Sequence, residues 1–349
     1  TNEEGVGNGT PQEDMAASPE SPCGMLTGGI GVRSDMLEEL GMELPTNLDD
    51  FTAFLQAAKD QYDIAPLTAN KSSPFISTIL TAFGMGDAEW YDIDGTYTHR
   101  IKHPQIADYL AYLQKLYSEG LMDNDMPINT ADNSKEKFAS GNAIACAPLM
   151  FWDIPSMVNA LSTSNPDCKI EFVTDLAPDA DTQPHHYIME GAKFVTCISQ
   201  NSKNPEHVVN WLNILTEPDN FRRTYIGEEG VSYEIIDGEY HPIFEGDDAT
   251  NFNAYTNSDK LSGFSDPTLA FQMWQARARK TPEMAEAYEA MNSRVDEYQA
   301  LVSIEAYGKT SPQVQEYITA LNQAFSDSFL KAIVEGTDPD EAVAAMQAE

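Results

Sequence analysis

Apolar positions recur at two spacings along this chain, and the spacing changes from stretch to stretch. Phe51, Phe54, Leu55 and Ala58 fall three and four apart, which predicts a helix over Leu48–Ala58 with Thr46 or Asn47 as its cap. Ile106, Tyr109, Leu110, Leu113 and Leu116 form a longer stripe that ends at Gly120. Val208, Val209, Trp211, Leu212 and Leu215 repeat the pattern after Asn204-Pro205, so Trp211, like Trp274, is expected in a helix core. Short apolar runs predict strands at Met25–Val32, Ile64–Leu67, Ala143–Pro148, Lys169–Val173, His185–Met189 and Ala192–Ile198. Two hairpins are marked by Asp94-Gly95 and Asp237-Gly238. Further helices are expected over Asp35–Leu40, Pro74–Phe83, Ser134–Ala139, Pro218–Tyr225, Thr268–Arg279, Pro282–Asp296, from Ser311-Pro312 to about Val334, and over Asp338–Ala348.

Strands that alternate with helices imply an α/β fold with covered sheets. At 349 residues the chain is long for one domain. The turn-rich APDADTQ connector, Ala177–Gln183, is a place for the chain to cross between lobes. The expected organisation is a flexible leader over 1–26, one α/β lobe from 27–184 with 311–349, and a partial second lobe over 187–305. The crossings fall near 177–187 and 305–311.

Phe138–Leu161 joins these patterns to possible chemistry. A Ser-Gly-Asn turn leads into an apolar strand, then Phe151 and Trp152, then a helix with Asp153 as candidate cap and Pro155 in its first turn. In open α/β sheets ligands bind where such strand-to-helix loops gather. On the residues alone, the aromatic pair fits either core packing or a stacking platform.

Charge removes several classes. Asp and Glu number 56 against 20 Lys and Arg, a formal net charge of −36, which opposes nucleic acid and anionic lipid. The cysteines, Cys23, Cys146, Cys168 and Cys197, form neither CxxC pairs nor zinc spacings. Cys146 and Cys197 lie in apolar runs, as buried thiols do. No apolar run approaches the roughly 18–20 residues of a membrane span. The chain contains no GxSxG, HExxH, Walker A or GxGxxG sequence. The adjacent His185-His186 would point to opposite faces of a strand. Asp92-Ile-Asp94-Gly95 lacks the later ligands of a calcium loop. These absences argue against an enzyme and against a metal or other cofactor.

Four ordered stretches carry a family resemblance. They are VRSDMLEELGMELPTNLDDFTAFLQAAK, YLQKLYSEGLMDNDM, FASGNAIACAPLMFWDI and SKNPEHVVNWLNILTEPDNFRRTYIGEEGVSYEIIDGEY. Together they resemble the extracellular solute-binding proteins of bacterial carbohydrate ABC importers. The likeness is to the large lipoprotein branch of the maltodextrin-binding-like type (family 1), and it runs from about Gly28 to the C-terminus. It implies a two-lobe, type II periplasmic-binding-protein-like fold. Much of the N-terminal lobe that usually precedes the R-x-D segment, with its lipid anchor, is expected to be missing from this chain. Cys23 lacks a lipobox.

The resemblance further implies a monomer at the extracellular face of the membrane or in the periplasm, lipid-anchored or secreted. Such a protein holds a sugar or oligosaccharide in an interlobe cleft and passes it, unaltered, to permease subunits. Trp152 with Phe151 matches the family's aromatic loop, and Ser73 and Phe75 match a second cleft loop. His186, Tyr187 and Glu190 border the crossing, and Glu229 and Tyr233 match its G-x-E-G-x-x-Y hairpin. The alternatives are a secreted polysaccharide-active enzyme and a binding protein for a non-sugar such as a peptide or polyamine.

Overall fold

A computed structural model describes residues 26–72, 74–86, 88–189, 198–243, 276, 278–293, 299–303 and 312–348. The chain divides into two compact units. The larger comprises Leu26–Glu190 and Ser293–Glu349, and the smaller is built on Gly191–Asn292.

In the larger unit, β1 (Gly28–Arg33) leads into α1 (Ser34–Glu39), then α2 (Leu48–Tyr62). Asn47 caps α2 by accepting from the Asp50 amide at 2.9 Å, as the sequence predicts. Strand β2 covers Leu67–Ala69, somewhat later than the apolar run suggests, and α3 is only Ser77–Leu80 followed by a 3-10 turn at Thr81–Phe83. The expected helix from Pro74 starts late because Tyr109 fixes its approach. The Tyr109 hydroxyl donates to the Pro74 carbonyl and accepts from the Ile76 amide, both at 2.8 Å. The hairpin β3 (Trp90–Ile93) and β4 (Thr96–His99) turns through Asp94 and Gly95, whose φ angles of 53° and 76° explain the Asp-Gly choice. Then follow α4 (Ile106–Ser118), α5 (Ala131–Ala139), β5 (Ala145–Met150), α6 (Ile154–Leu161), β6 (Ile170–Val173) and β7 (His185–Met189).

The main sheet has the order β2-β5-β1-β6. Strand β1 is antiparallel to both β5 and β6, and β2 is parallel to β5. The carboxyl ends of β2, β5 and β6 therefore share one sheet end with the start of β1. Glycines let these strands close: a Cβ on Gly28 would lie 2.4 Å from the Leu149 carbonyl oxygen, and one on Gly29 would lie 2.3 Å from that of Val173.

The core beneath is aliphatic and aromatic, with Ile30, Val32, Phe51, Phe54, Leu67, Tyr109, Leu110 and Leu113 fully enclosed. Such burial is the main source of stability. After the smaller unit the chain returns through β10 (Gln299–Ser303), which pairs in parallel with β7, Ala300 opposite His186 and Leu301 opposite Tyr187. The helices α10 (Pro312–Glu335) and α11 (Pro339–Ala348) follow. Both pack on α4. The Gln114 amide donates to the carbonyls of Ala332 (2.8 Å) and Thr337 (2.7 Å), and Gln347 donates to that of Ile101 (2.8 Å).

The smaller unit contains α7 (Pro205–Thr216), α8 (Pro218–Tyr225), the hairpin β8 (Tyr233–Ile236) with β9 (Glu239–Pro242), and α9 (Pro282–Asn292). Phe221, Tyr225, Ile226, Tyr233 and Ala276 form its described core. Helix α7 corrects the periodicity: none of its residues is buried, and Trp211 is 42% exposed. The repeat gives α7 an apolar face, but that face is not in the core. The expected strand at Ala192–Ile198 lies almost wholly outside the described residues.

Candidate aromatic binding site

The loop after β5 presents one aromatic ring and buries its neighbour. Phe151 is 2% exposed and Trp152 is 48% exposed, their rings edge to face at 5.2 Å. The Phe151 amide donates to the Thr27 carbonyl at 3.1 Å, which ties the loop to the start of β1. Asp153 occupies the position before α6, but its carboxylate does not cap that helix. It turns back instead, accepting from the Met150 amide at 3.1 Å and from Lys135 Nζ at 2.8 Å. The cap expectation fails because the ammonium of α5 and the Met150 amide lie on the other side. Trp152 thus stands on a loop braced from β1, β5 and α5. A half-exposed indole held this way offers a flat apolar face of the kind that ring ligands cover.

A second loop reaches the same sheet end from β2. Asn129 donates to the carbonyl of Ala69, at the end of β2, and accepts from the Lys71 amide. Asp123 organises this corner. It receives Lys137 Nζ at 2.6 Å, the Asn129 amide group at 2.8 Å, the Asp125 amide at 3.0 Å and the Thr68 hydroxyl at 3.3 Å. Burial works to raise the pKa of Asp123, yet Lys137 and the two amides outweigh it and hold the carboxyl below its ordinary value. A cavity of about 270 Å³ beside it is lined by Ala65, Thr68, Asp123, Lys137, Asn142 and Ala143.

The other sequence-predicted residues are placed as follows. Phe75 follows β2 and is half-buried in an aromatic stack with Phe325 at 5.2 Å and Phe329 at 4.9 Å, with the Arg100 guanidinium 4.7 Å above its ring. His186 and Tyr187 lie on β7. Ser73 and Glu190 lie outside the described residues. Glu229 and Tyr233 belong to the smaller unit. Glu229 is exposed. Tyr233 is buried, packed on Tyr240 at 5.5 Å, and its hydroxyl is pushed up chiefly by burial, with Arg222 acting in the opposite sense. Sequence reasoning missed the Lys135–Asp153 brace and the Asp123 corner. Both join residues that only the fold brings together.

The R-x-D motif has a structural role here. Arg33 and Asp35 form a bidentate pair, and Asp35 also accepts from Asn165 (2.9 Å) and the Lys169 amide (3.2 Å), fastening α1 to the segment entering β6. Among the described residues, no group of three His, Cys, Asp or Glu is placed to hold a metal ion, and no helix is long and apolar enough to cross a membrane.

No family model matches the chain. It is 30% identical over 239 residues to an uncharacterized protein in the butB 5' region of Niallia circulans, covering 66% of this chain and 88% of that one. A polygalacturonan/rhamnogalacturonan-binding protein, YtcQ of Bacillus subtilis (strain 168), is 23% identical over 222 residues, 59% of this chain; the chain spans 43% of that relative's length. Among solved structures, the alginate-binding protein AlgQ2 without calcium ion superposes with a TM-score of 0.61 at 18% identity, over 93% of this chain and 68% of that one. An HMO-binding, ABC-transporter-associated solute-binding protein from Bifidobacterium longum infantis ATCC 15697 gives 0.55 at 15% identity, over 93% and 70%. These structures show that the fold is the mixed α/β fold of periplasmic solute-binding proteins. Ordered motifs, fold and curated relatives agree, and the chain belongs to the extracellular solute-binding proteins.

Proposed function

We propose that the protein captures an extracellular saccharide and delivers it, chemically unchanged, to the permease of an ABC importer. The observation that carries this reading is Trp152, 48% exposed on a loop braced by Asp153 and Lys135 at the carboxyl end of β5. An indole face covers the C–H face of a pyranose ring, and its rigid support avoids an ordering cost when the ligand arrives. The names of the relatives add support, since they include polygalacturonan-, alginate- and HMO-binding proteins. The protein acts outside the cell as a monomer, lipid-anchored or secreted, and Phe151 serves as the buried support of Trp152.

Isothermal titration against a panel of oligosaccharides tests this. Loss of a central stacking ring costs about 2 kcal/mol, so Trp152→Ala should bind about 30-fold more weakly. Unchanged affinity would remove Trp152 from the site. Shortened products in the same mixtures would show a polysaccharide-active enzyme instead.

A further inference from the structure

Among the described residues, the buried carboxylate of Asp175 differs from those of Asp35, Asp123 and Asp153. Asp35, Asp123 and Asp153 each use both oxygens, taking donors from side chains and backbone amides. Asp175 is more deeply buried than any of them, at 1% exposure. Its Oδ2 accepts from the Thr174 hydroxyl at 3.2 Å, while its Oδ1 is buried without a hydrogen-bond partner. An acceptor left in this state is costly, and such groups are rare in folded proteins.

Its position gives the cost a use. Val173 pairs with Ile30, so the chain just beyond β6 runs beside Gly29 and Gly28. Gly28 pairs in turn with Met150, the residue before the aromatic loop. Asp175 and Trp152 therefore lie at the same end of the main sheet. A carboxylate oxygen can only accept, so what satisfies it must donate.

We propose that Asp175 Oδ1 takes a hydroxyl of the bound ligand, and that this ligand is a neutral saccharide rather than a polyuronate. This rests on the saccharide-binding reading above. In the ligand-free protein the carboxylate is sealed from water, and the arriving ligand displaces its cover. An acidic sugar would bring further carboxylates to a chain of net charge −36. Lys135 and Lys137, the cations of α5, are already paired with Asp153, Asp123 and Asp125. Lys71, two residues beyond β2, is an exposed cation among the described residues and favours the opposite preference.

The test titrates the wild type, Asp175→Asn and Trp152→Ala with maltotriose, mannotriose and trigalacturonate. Thermal unfolding of each ligand-free protein accompanies the titrations. The wild type should prefer a neutral trisaccharide. Asp175→Asn should bind it at least tenfold more weakly while unfolding at the same or a higher temperature, because no hydrogen bond of the ligand-free protein depends on Oδ1. Affinity within twofold of wild type would overturn the role of Asp175. A fall in both affinity and thermal stability would make it a structural residue and overturn the role equally. Preference for trigalacturonate would overturn the neutral class. A wild type that binds none of the three would defeat the saccharide reading and this inference with it.

Discussion

Removing the Asp153 brace should loosen the Trp152 loop by an amount the structure allows to be worked out. The carboxylate makes two interactions, with the Met150 amide at 3.1 Å and with Lys135 at 2.8 Å. The ion pair is partly solvated, with side-chain exposures of 29% for Lys135 and 15% for Asp153. It should therefore be discounted to about 0.5–1 kcal/mol. The amide bond is worth more, because its loss leaves a partly buried N–H without an acceptor, at about 1–3 kcal/mol. Asp153→Ala removes both, about 2 kcal/mol, near the lower end of the roughly 1.5–4 kcal/mol that the two sum to. Asp153→Asn keeps an acceptor for Met150 and loses only the charge, about 0.5–1 kcal/mol. Hydrogen exchange of the Met150 amide reads this directly. Opening should rise about 30-fold in Asp153→Ala and about two- to fivefold in Asp153→Asn. Equal protection in wild type and Asp153→Ala would refute the brace. Equal damage from both substitutions would show that the charge, not the amide acceptor, holds the loop.

Two further outcomes follow from buried titrating groups. Burial lowers His103 to about 4, and its neutral Nδ1 accepts from the Gln105 amide at 3.3 Å. The unfolded chain, with an ordinary histidine value near 6.5, binds the proton first, so this contribution is complete above about pH 6.5 and is lost as pH falls toward 4; urea unfolding across that window should show a shallower slope in His103→Gln. Burial also pushes the Cys146 thiol up to about 12, so iodoacetamide at pH 8 should leave Cys146 unmodified in the folded protein and alkylate it in urea, as peptide mass spectrometry would show.

Much of the larger unit was legible because its signals are local. The Asn47 cap, the Asp94-Gly95 turn and the α4 stripe each lie within a few residues of the structure they specify. Trp152 was legible for the same reason, since a strand, an aromatic pair and a proline-started helix are contiguous. Its brace was not: Lys135 and Asp153 are brought together by the packing of α5 on α6. Strand β10 was not foreseen, because QALVS is short and its parallel partner β7 lies more than a hundred residues earlier. Helix α7 misled because periodicity shows that a face is apolar without showing what lies against it. Asp175 was invisible among 56 acidic residues, since an unmatched oxygen is a property of its surroundings and leaves no mark on its neighbours in sequence.

The hydrogen bonds from α4 to the chain's last helices have a consequence for the order of folding. Gln114 reaches Ala332 and Thr337, Gln347 reaches Ile101, and Phe75 stacks on Phe325 and Phe329. Each contact closes a loop of more than two hundred residues and spans Gly191–Asn292, on which the smaller unit is built. Contacts this distant are slow to form, and during synthesis they cannot form until the C-terminal helices have left the ribosome. The contacts that fasten α4 and Phe75 to α10 and α11 are therefore the last to close in the larger unit.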